Sequence, residues 1–135
     1  MPGLAYDVVI VGGGPVGMGL AIELGQRGIR VAVVERYESP QRIPKGQNLT
    51  QRTMEHFHFW GCEDELRSRR VVPHGVANGG MICYGNLLGE YRYDWLPREK
   101  VGQYYFSDVE RLPQYETEAT LRARAAEIDG IETFY

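Results

Sequence analysis

The chain has 135 residues, of which 43% are hydrophobic and 24% are charged, a composition typical of one soluble globular domain. Its 18 acidic and 15 basic residues give a net charge of −3, and the basic residues are dispersed, which argues against a nucleic-acid partner and a membrane surface. The two cysteines are far apart in the sequence and no basic region precedes an apolar stretch at the N-terminus, so we expect a cytoplasmic protein with reduced thiols.

The first 35 residues predict a parallel β-α-β unit. The β-branched run Val8 to Val11 ends at three consecutive glycines, which is typical of a buried parallel strand. A helix is expected to begin at Pro15 and to end at Gly28, with apolar residues at helical spacing. Residues 31–35 repeat the buried-strand pattern, so two parallel strands joined by a right-handed helical crossover are expected.

The middle of the chain predicts two helices followed by an antiparallel excursion. Residues 37–48 are rich in proline, glycine and asparagine and predict a surface loop. Helices are expected over about 50–60 and 63–70, the second with acids first and arginines last, as the helix dipole favours. From 75 to 95 the apolar residues alternate, and Gly85-Asn86 predicts the turn of a hairpin.

Aromatic residues mark the end of this excursion. Tyr91, Tyr93 and Trp95 form a stripe with a period of two, which we expect to be the buried side of a sheet rather than a substrate-facing surface. Residues 104–106 predict a further strand. A last helix over 114–128 and the beginning of a strand at 131–135 complete the chain. Because no cap or polar tail follows that strand, we expect a single, truncated domain over residues 1–135.

The glycine-rich segment carries the most informative chemistry. Gly12-Gly13-Gly14-Pro15-Val16-Gly17 has the form G-x-G-x-x-G, and it lies between a predicted strand and a predicted helix. Gly12 would permit the tight turn, Gly14 the close approach of the backbone to a pyrophosphate, and Gly17 the close packing of the helix on the sheet. The N–H groups of the first helical turn can then bind phosphate oxygens, and Pro15 lacks only an N–H that would have had no helical partner.

Glu35 ends the second predicted strand, 18 residues after Gly17. At that position a carboxylate can accept hydrogen bonds from the hydroxyls of an adenosine ribose, and its charge would repel a 2′-phosphate, which disfavours NADP. The neighbouring Arg36 could stack on adenine or contact a phosphate. Together these residues predict a site for an ADP-containing dinucleotide.

Four segments of the chain also follow the pattern of a known family. They are residues 7–17, Val34-Glu35-Arg36, Asn48-Leu49-Thr50-Gln51-Arg52-Thr53-Met54-Glu55, and Leu112-Pro113-Gln114 with Glu118 and Leu121. These segments resemble the FAD-dependent aromatic hydroxylases of the para-hydroxybenzoate hydroxylase type, over essentially the whole chain. The resemblance selects FAD over NAD. It implies an α/β fold, a Rossmann-like FAD-binding domain with a parallel β-α-β core and an antiparallel β excursion, apparently truncated.

The resemblance also implies which residues would contact FAD. The backbone of Gly14 to Gly17 would face the pyrophosphate, Glu35 the ribose and Arg36 the adenine. The segment 45–48 would approach the pyrophosphate and the flavin, with Lys45 where the family often has arginine, and Gln114 would bind the ribityl-phosphate chain. The candidate cofactor-binding residues are therefore Gly12, Gly14, Pro15, Val16, Gly17, Glu35, Arg36, Lys45, Gly46, Gln47, Asn48 and Gln114.

The histidines and cysteines favour neither a metal site nor a nucleophile. His56 and His58 are two apart on a predicted helix and so point away from each other, and His74 has no nearby cysteine or carboxylate pattern. Cys62 and Cys83 lack C-x-x-C spacing, and we expect both to be small buried residues.

The function implied by the resemblance is that of the N-terminal part of a monooxygenase, which hydroxylates an aromatic or polyketide-like substrate with NAD(P)H and O2. No catalytic residue can be named, because the sequence contains neither the family's second flavin motif nor its substrate sheet. Two alternatives remain open, a non-catalytic dinucleotide-binding module or remnant that needs a partner chain, and part of an NAD-dependent dehydrogenase. In the family a later strand flanks the first one, so we expect an exposed apolar edge at residues 8–11 and self-association through it.

Overall fold

A three-stranded parallel sheet lies at the centre of the fold in the computed structural model, which describes residues 5–43, 45–73, 80–95, 100 and 102–135. The strands are β1 (Val8–Val11), β2 (Val31–Val34) and β7 (Ile131–Phe134), in the order β1-β2-β7. Val8 pairs with Val31, and Val31 pairs with Ile131. The predicted β-α-β unit and the final strand are therefore confirmed, with β2 in the middle of the sheet.

Within the described residues, four α-helices with defined bounds accompany this sheet. They are α1 (Pro15–Gly25), α2 (Gln51–Trp60), α3 (Glu63–Ser68) and α4 (Gln114–Ala126). The helix α1 packs against α4 and against all three strands of the parallel sheet. Buried side chains from β1, β2 and all four helices form one core, and Met18, Ile22, Met54, Phe57, Leu66 and Leu121 are among them. This core holds the carboxyl ends of β1 and β2 beside the start of α1.

Local chemistry sets the ends of α2. The Thr50 hydroxyl accepts a hydrogen bond from the N–H of Thr53 at 3.3 Å, which caps the start of the helix. Gly61 then ends it in the left-handed conformation, at φ +75°, which a glycine adopts without a steric cost. The helix α3 has three acids in its first turn and Arg67 in its last, as predicted from the helix dipole.

Two short strands lie where the sequence predicts other structure. Asn48–Leu49 forms β3 and Glu110–Arg111 forms β6, and the two strands pair in antiparallel fashion. The predicted loop over 37–48 is therefore wrong at its last residue. The strand predicted over 104–106 is also wrong, because Gly102–Tyr104 forms a 3₁₀ helix and the strand follows six residues later.

The predicted hairpin is confirmed, and the predicted burial of its aromatic stripe is wrong. The strands β4 (Gly80–Cys83) and β5 (Arg92–Trp95) pair as a separate two-stranded sheet. Tyr91 and Tyr93 are 77% and 64% exposed, because a two-stranded sheet on its own leaves its side chains open to water. The side chain of Trp95, the residue His74 and the segment 75–79 lie outside the described residues.

A buried carboxylate ties β6 to α3. Glu110 is only 3% exposed, and it accepts hydrogen bonds from Arg67 at 3.0 Å and from Arg70, also at 3.0 Å. Arg67 also contacts Glu63 at 2.8 Å, and the Ser107 hydroxyl donates to Glu63 at 3.1 Å. Burial raises the pKa of Glu110, but the hydrogen bonds from Arg70 and from the backbone outweigh burial and bring it below the ordinary value.

We expect Glu110→Gln to lower the free energy of unfolding at pH 7 by about 2–4 kcal/mol, because it removes the carboxylate that pairs with Arg70 and leaves Arg67 with Glu63 alone. A depressed pKa stabilises the fold above the unfolded pKa, and this contribution is lost as the pH falls through the folded value. The deficit of the variant should therefore shrink below about pH 4.5. Urea unfolding at pH 7, 5, 4 and 3.5 measures both effects.

Glu65→Gln is the matched control, because Glu65 lies on α3 and pairs with Arg69 at 2.8 Å in a more exposed position. The free energy of unfolding of Glu65→Gln should fall by less than about 1 kcal/mol. An equal loss in the two variants at pH 7, or a Glu110→Gln deficit that is the same at pH 3.5, would contradict the role given to Glu110.

Candidate functional site

A groove of about 640 Å³ opens at the carboxyl ends of β1 and β2. This edge of a parallel sheet is where open α/β folds bind their ligands, and the volume is in the range of small-molecule sites. The walls come from β1, the glycine-rich loop, the end of β2, the segment after it, and one face of α4. The lining residues that bear on the chemistry are Gly12, Gly14, Glu35, Arg36, Lys45, Gln114, Glu118 and Arg122.

The glycine-rich loop has the geometry that its sequence predicts. Gly12 adopts φ +110°, a conformation that favours glycine, and its N–H bonds the carbonyl of Val34 at 2.8 Å. A Cβ at Gly17 would lie 1.9 Å from the carbonyl oxygen of Gly12, so only glycine allows α1 to start so close to the loop. A Cβ at Gly14 would meet no atom within 4 Å, which leaves its backbone open to an approaching ligand.

The start of α1 is suited to an anion. Gly14 is the N-cap and Pro15 occupies the first turn, and no side chain caps the helix. The first N–H groups of a helix have no partner within it, and the helix dipole adds partial positive charge at the same place. Backbone donors at this position can bind a phosphate group without a cationic side chain.

Glu35 holds the glycine-rich loop as well as facing the groove. One carboxylate oxygen accepts a hydrogen bond from the N–H of Gly13 at 2.7 Å, and the other accepts one from the N–H of Tyr37 at 2.9 Å. These two donors, that of Tyr37 foremost, lower the pKa of Glu35 below its ordinary value and keep it ionised. Each oxygen retains capacity to accept a second hydrogen bond, such as one from a ribose hydroxyl.

One face of α4 forms the opposite wall of the groove. Gln114, Glu118 and Arg122 are spaced at intervals of four, so they lie on the same side of the helix. The Gln114 amide donates to Glu118 at 2.7 Å, and the Gln114 carbonyl oxygen would be 3.6 Å from a Cβ at Gly46. Sequence reasoning missed Gly13, Glu118 and Arg122 as site residues. The spacing from Gln114 was the signal for the latter two.

The structure brings six of the twelve predicted cofactor-binding residues into the lining of the groove, namely Gly12, Gly14, Glu35, Arg36, Lys45 and Gln114. The Arg36 guanidinium lies 4.6 Å from the centre of the Tyr37 ring, and Lys45 is exposed. Pro15 and Val16 instead line a second, apolar groove beside α2, and Gly17 lies behind the loop.

The segment 46–48 is not part of the groove lining. The carbonyl of Gln47 accepts a hydrogen bond from the N–H of Leu112 at 2.9 Å, and Asn48 pairs with Arg111 in the β3–β6 ladder. These backbone bonds fix the segment beside Gln114 and hold its neighbour Lys45 at the groove.

The histidines and cysteines have other surroundings. His56 stacks on Trp60 with ring centres 5.4 Å apart, and His58 contacts Glu63 at 3.1 Å. Within the described ranges, no group of three or more histidine, cysteine or acidic side chains could hold a metal ion. Cys62 is buried as predicted, and burial raises the pKa of its thiol to about 12. Cys83 is only half-buried, so the prediction that it is buried is wrong. Among the described helices, none has the length and apolar character needed to span a membrane.

A parallel β-α-β unit with an anion-ready glycine loop and an acid at the end of the second strand defines a dinucleotide-binding protein. The chain belongs to the FAD binding domain family, whose model matches residues 5–134. This confirms the resemblance to FAD-dependent aromatic hydroxylases seen in the sequence and selects FAD over NAD as the cofactor.

Known flavin-dependent monooxygenases and hydroxylases are similar to this chain, over lengths from less than half of it to nearly all of it. The 4-methyl-5-nitrocatechol 5-monooxygenase of Burkholderia sp. is 32% identical over 129 residues, which cover 94% of this chain and 23% of that protein. The aklavinone 12-hydroxylase DnrF of Streptomyces peucetius is 47% identical over 60 residues, 44% of this chain and 12% of its own length. The flavin-dependent monooxygenase PieE, solved with FAD and substrate, superposes with a TM-score of 0.78 at 25% identity, covering 98% of this chain and 24% of that one. The chain thus spans less than a quarter of the length of each.

The residues present fit FAD. The groove has room for an adenosine diphosphate, Gly14 leaves its backbone accessible, and the ionised Glu35 offers acceptors at the end of β2. The N–H groups in the first turn of α1, which no side chain caps, are suited to donate hydrogen bonds to a pyrophosphate.

Gly14→Ala and Gly17→Ala form a matched pair. Gly14 has φ −75° and ψ −176° and open space around it, so alanine should change the free energy of unfolding by less than about 1 kcal/mol. Its methyl group would point into the groove, and we expect FAD to bind at least about tenfold more weakly. Gly17→Ala places a Cβ against the Gly12 carbonyl and should destabilise the fold by about 3 kcal/mol or more.

Chemical denaturation measures the stability of each variant, and calorimetric titration with FAD measures its affinity. FAD affinity that is unchanged in a folded Gly14→Ala variant would contradict the placement of the pyrophosphate at this loop.

Proposed function

We propose that this chain is the FAD-binding part of a flavin-dependent monooxygenase that hydroxylates an aromatic or polyketide-like substrate, with NAD(P)H as electron donor and O2 as co-substrate. The observation that carries the proposal is the groove at the ends of β1 and β2, built on the glycine loop and Glu35, in a chain of the FAD binding domain family. Relatives that act on nitrocatechol and aklavinone, by their names, support the substrate class.

The roles proposed for the residues follow the path of an extended dinucleotide along the groove. The N–H groups at Gly14 and in the first turn of α1 bind the pyrophosphate. Glu35 accepts hydrogen bonds from the adenosine ribose, and the exposed guanidinium of Arg36 lies beside the adenine. Lys45 contributes a positive charge near the phosphates, as a point charge without the two-pronged geometry of arginine.

Gln114 is proposed to contact the ribityl-phosphate part of FAD. Its amide nitrogen already donates to Glu118 at 2.7 Å, so its carbonyl oxygen remains to accept a hydrogen bond. A ribityl hydroxyl is a suitable donor for it. Glu118 therefore selects which end of the amide Gln114 presents to the cofactor.

Bound FAD supplies the redox chemistry, since a flavin accepts a hydride from a nicotinamide and reacts with O2 when reduced. The proposed role of this chain is to bind and orient the cofactor. Glu35 anchors the ribose at a fixed distance from the glycine loop, because the same carboxylate bonds the N–H of Gly13. The α1 terminus fixes the pyrophosphate at the other side of that loop.

The protein encoded by the complete gene should oxidise NAD(P)H faster when an aromatic substrate is added, and should form one hydroxylated product per NAD(P)H, with its new oxygen atom taken from O2. Mass spectrometry of the product formed under isotopically labelled O2 measures this. We expect the 135-residue chain alone to bind FAD without hydroxylating, because it covers less than a quarter of the nitrocatechol monooxygenase and of PieE.

Hydroxylation by the complete protein and its absence in the 135-residue chain are contradicted by different results. Oxidation of NAD(P)H that no aromatic compound stimulates and that gives no hydroxylated product would favour a non-catalytic or different flavoprotein. Hydroxylation by the 135-residue chain itself would show that the substrate site lies within it.

The edge of β1 is proposed as a surface for self-association of this chain. In the order β1-β2-β7, β1 is an edge strand, and no described residue pairs with its free side. Val9 and Val11 are 62% and 87% exposed on the same strand. An exposed apolar edge presents unpaired backbone groups to a second strand and favours sheet extension between molecules.

We expect the chain to form oligomers at high concentration, and Val9→Lys to reduce them, because a charged side chain on an edge strand opposes pairing. Sedimentation velocity over a range of concentrations measures the change. Val71→Lys is the control, since Val71 is 65% exposed and lies in the segment after α3, away from the sheet. A wild-type chain that remains monomeric, or equal effects of the two variants, would contradict this use of the edge.

A further inference from the structure

Arg122 joins α4 to the backbone segment that follows β2. Its guanidinium donates to the carbonyl of Glu38 at 2.7 Å and to the carbonyl of Tyr37 at 3.2 Å. The ring of Tyr135 lies on its other side, with the ring centre 5.1 Å from the guanidinium carbon. The side chain is partly buried and lines the groove. Arg122 is therefore held in one orientation by three partners.

The two carbonyls that Arg122 binds belong to the segment that holds Glu35. The N–H of Tyr37 donates to one oxygen of Glu35 at 2.9 Å, and the other oxygen bonds the N–H of Gly13 at 2.7 Å. A chain of contacts thus runs from α4 through the backbone at residues 37–38 to Glu35, and on to the glycine loop. Each link is a hydrogen bond with one charged partner, either the Arg122 guanidinium or the Glu35 carboxylate, and a charged partner strengthens such a bond.

Arginine suits this position because its planar group presents several N–H donors in a fixed arrangement. One guanidinium can bond two adjacent carbonyls at once, whereas a lysine ammonium on a flexible stem has no such preset geometry. Without this contact, residues 37 and 38 would be an exposed segment at the end of a strand, free to move away from Glu35.

We propose that Arg122 is a positioning residue for the adenosine half of FAD. It fixes the segment 37–38, and through the N–H of Tyr37 it orients the Glu35 carboxylate toward the ribose. The proposal rests on FAD binding in this groove, and it assigns to α4 a role at the adenosine end in addition to that of Gln114. Arg122 acts through Glu35 and need not contact the cofactor itself.

Two variants separate positioning from charge. Arg122→Ala removes both the hydrogen bonds and the charge, and Arg122→Lys keeps the charge and loses the paired geometry. We expect both variants to bind FAD about tenfold more weakly than the wild-type chain, as the loss of charge-assisted hydrogen bonds implies. Binding of FMN, which lacks the adenosine, should change by less than about twofold. Calorimetry or flavin fluorescence measures both affinities.

A second measurement needs no cofactor. Amide hydrogen exchange in the flavin-free chain should become about tenfold faster or more at Tyr37 in both variants, because its bond to Glu35 opens more often. Exchange within the buried strand β2 should not change. This measurement applies to each folded variant, and denaturation curves establish that the variants are folded.

Arg124→Ala is the matched control. Arg124 lies on the same helix and also donates to a backbone carbonyl, that of Trp60, at 2.6 Å, but it faces away from the groove lining. Its loss should lower stability without changing the ratio of FAD to FMN affinity, or the exchange at Tyr37.

Three outcomes would overturn the proposal: wild-type FAD affinity in Arg122→Ala, restoration of that affinity by Arg122→Lys, or unchanged exchange at Tyr37. A wild-type chain that binds no FAD would overturn it as well. If the wild-type chain binds FAD and the variants weaken it as expected, but the complete protein hydroxylates no aromatic compound, the monooxygenase function fails and the role of Arg122 stands.

Discussion

The close approach of α1 to the glycine-rich loop determines the arrangement of the whole groove. A side chain at residue 17 would lie 1.9 Å from the carbonyl of Gly12, so the helix can begin at this point only because that position is glycine. The same helix is buried further along, where a Cβ at Gly25 would be 2.6 Å from the side chain of Ile131 on β7. Two glycines thus allow α1 to lie flat on the sheet, and its free N–H groups are thereby directed at the ends of β1 and β2.

Two carboxylates hold loop segments that the packing of α1 on the sheet does not itself fix. Glu35 bonds the backbone of Gly13 and Tyr37, and Glu110 bonds two arginines of the α3 region and the backbone of its neighbour Arg111. Both carboxylates have pKa values below the ordinary range, since the donors around them favour the charged form. The Glu35 carboxylate therefore fixes the backbone at the ligand-binding end of the fold, and the Glu110 carboxylate joins the β6 region to α3.

The parts of the fold that could be predicted are those encoded by local patterns. The strand over 8–11, the glycine loop and the helix after it depend on residues close in sequence, and the site residue Glu35 follows from its spacing to Gly17. The two-residue ladder between β3 and β6 is too short for a periodic pattern, and it joins segments some sixty residues apart. The contact of Arg122 with the carbonyls at 37 and 38 is equally non-local and involves backbone atoms, which a sequence does not distinguish. The exposed tyrosines of the hairpin show a further limit, since alternation identifies a strand but not what covers it.

The difference between the two cysteines gives the molecule a selective chemical handle. The thiolate form of a cysteine is the nucleophile that reacts with thiol reagents. With a pKa of about 12, the buried Cys62 is almost entirely protonated at neutral pH and is therefore unreactive. Cys83 is only half-buried, and it lies on β4 in the hairpin, which contributes no residue to the lining of the nucleotide groove. A maleimide fluorophore would therefore attach at the hairpin without disturbing the core, and its emission would report whether the surroundings of the hairpin change when FAD enters the groove.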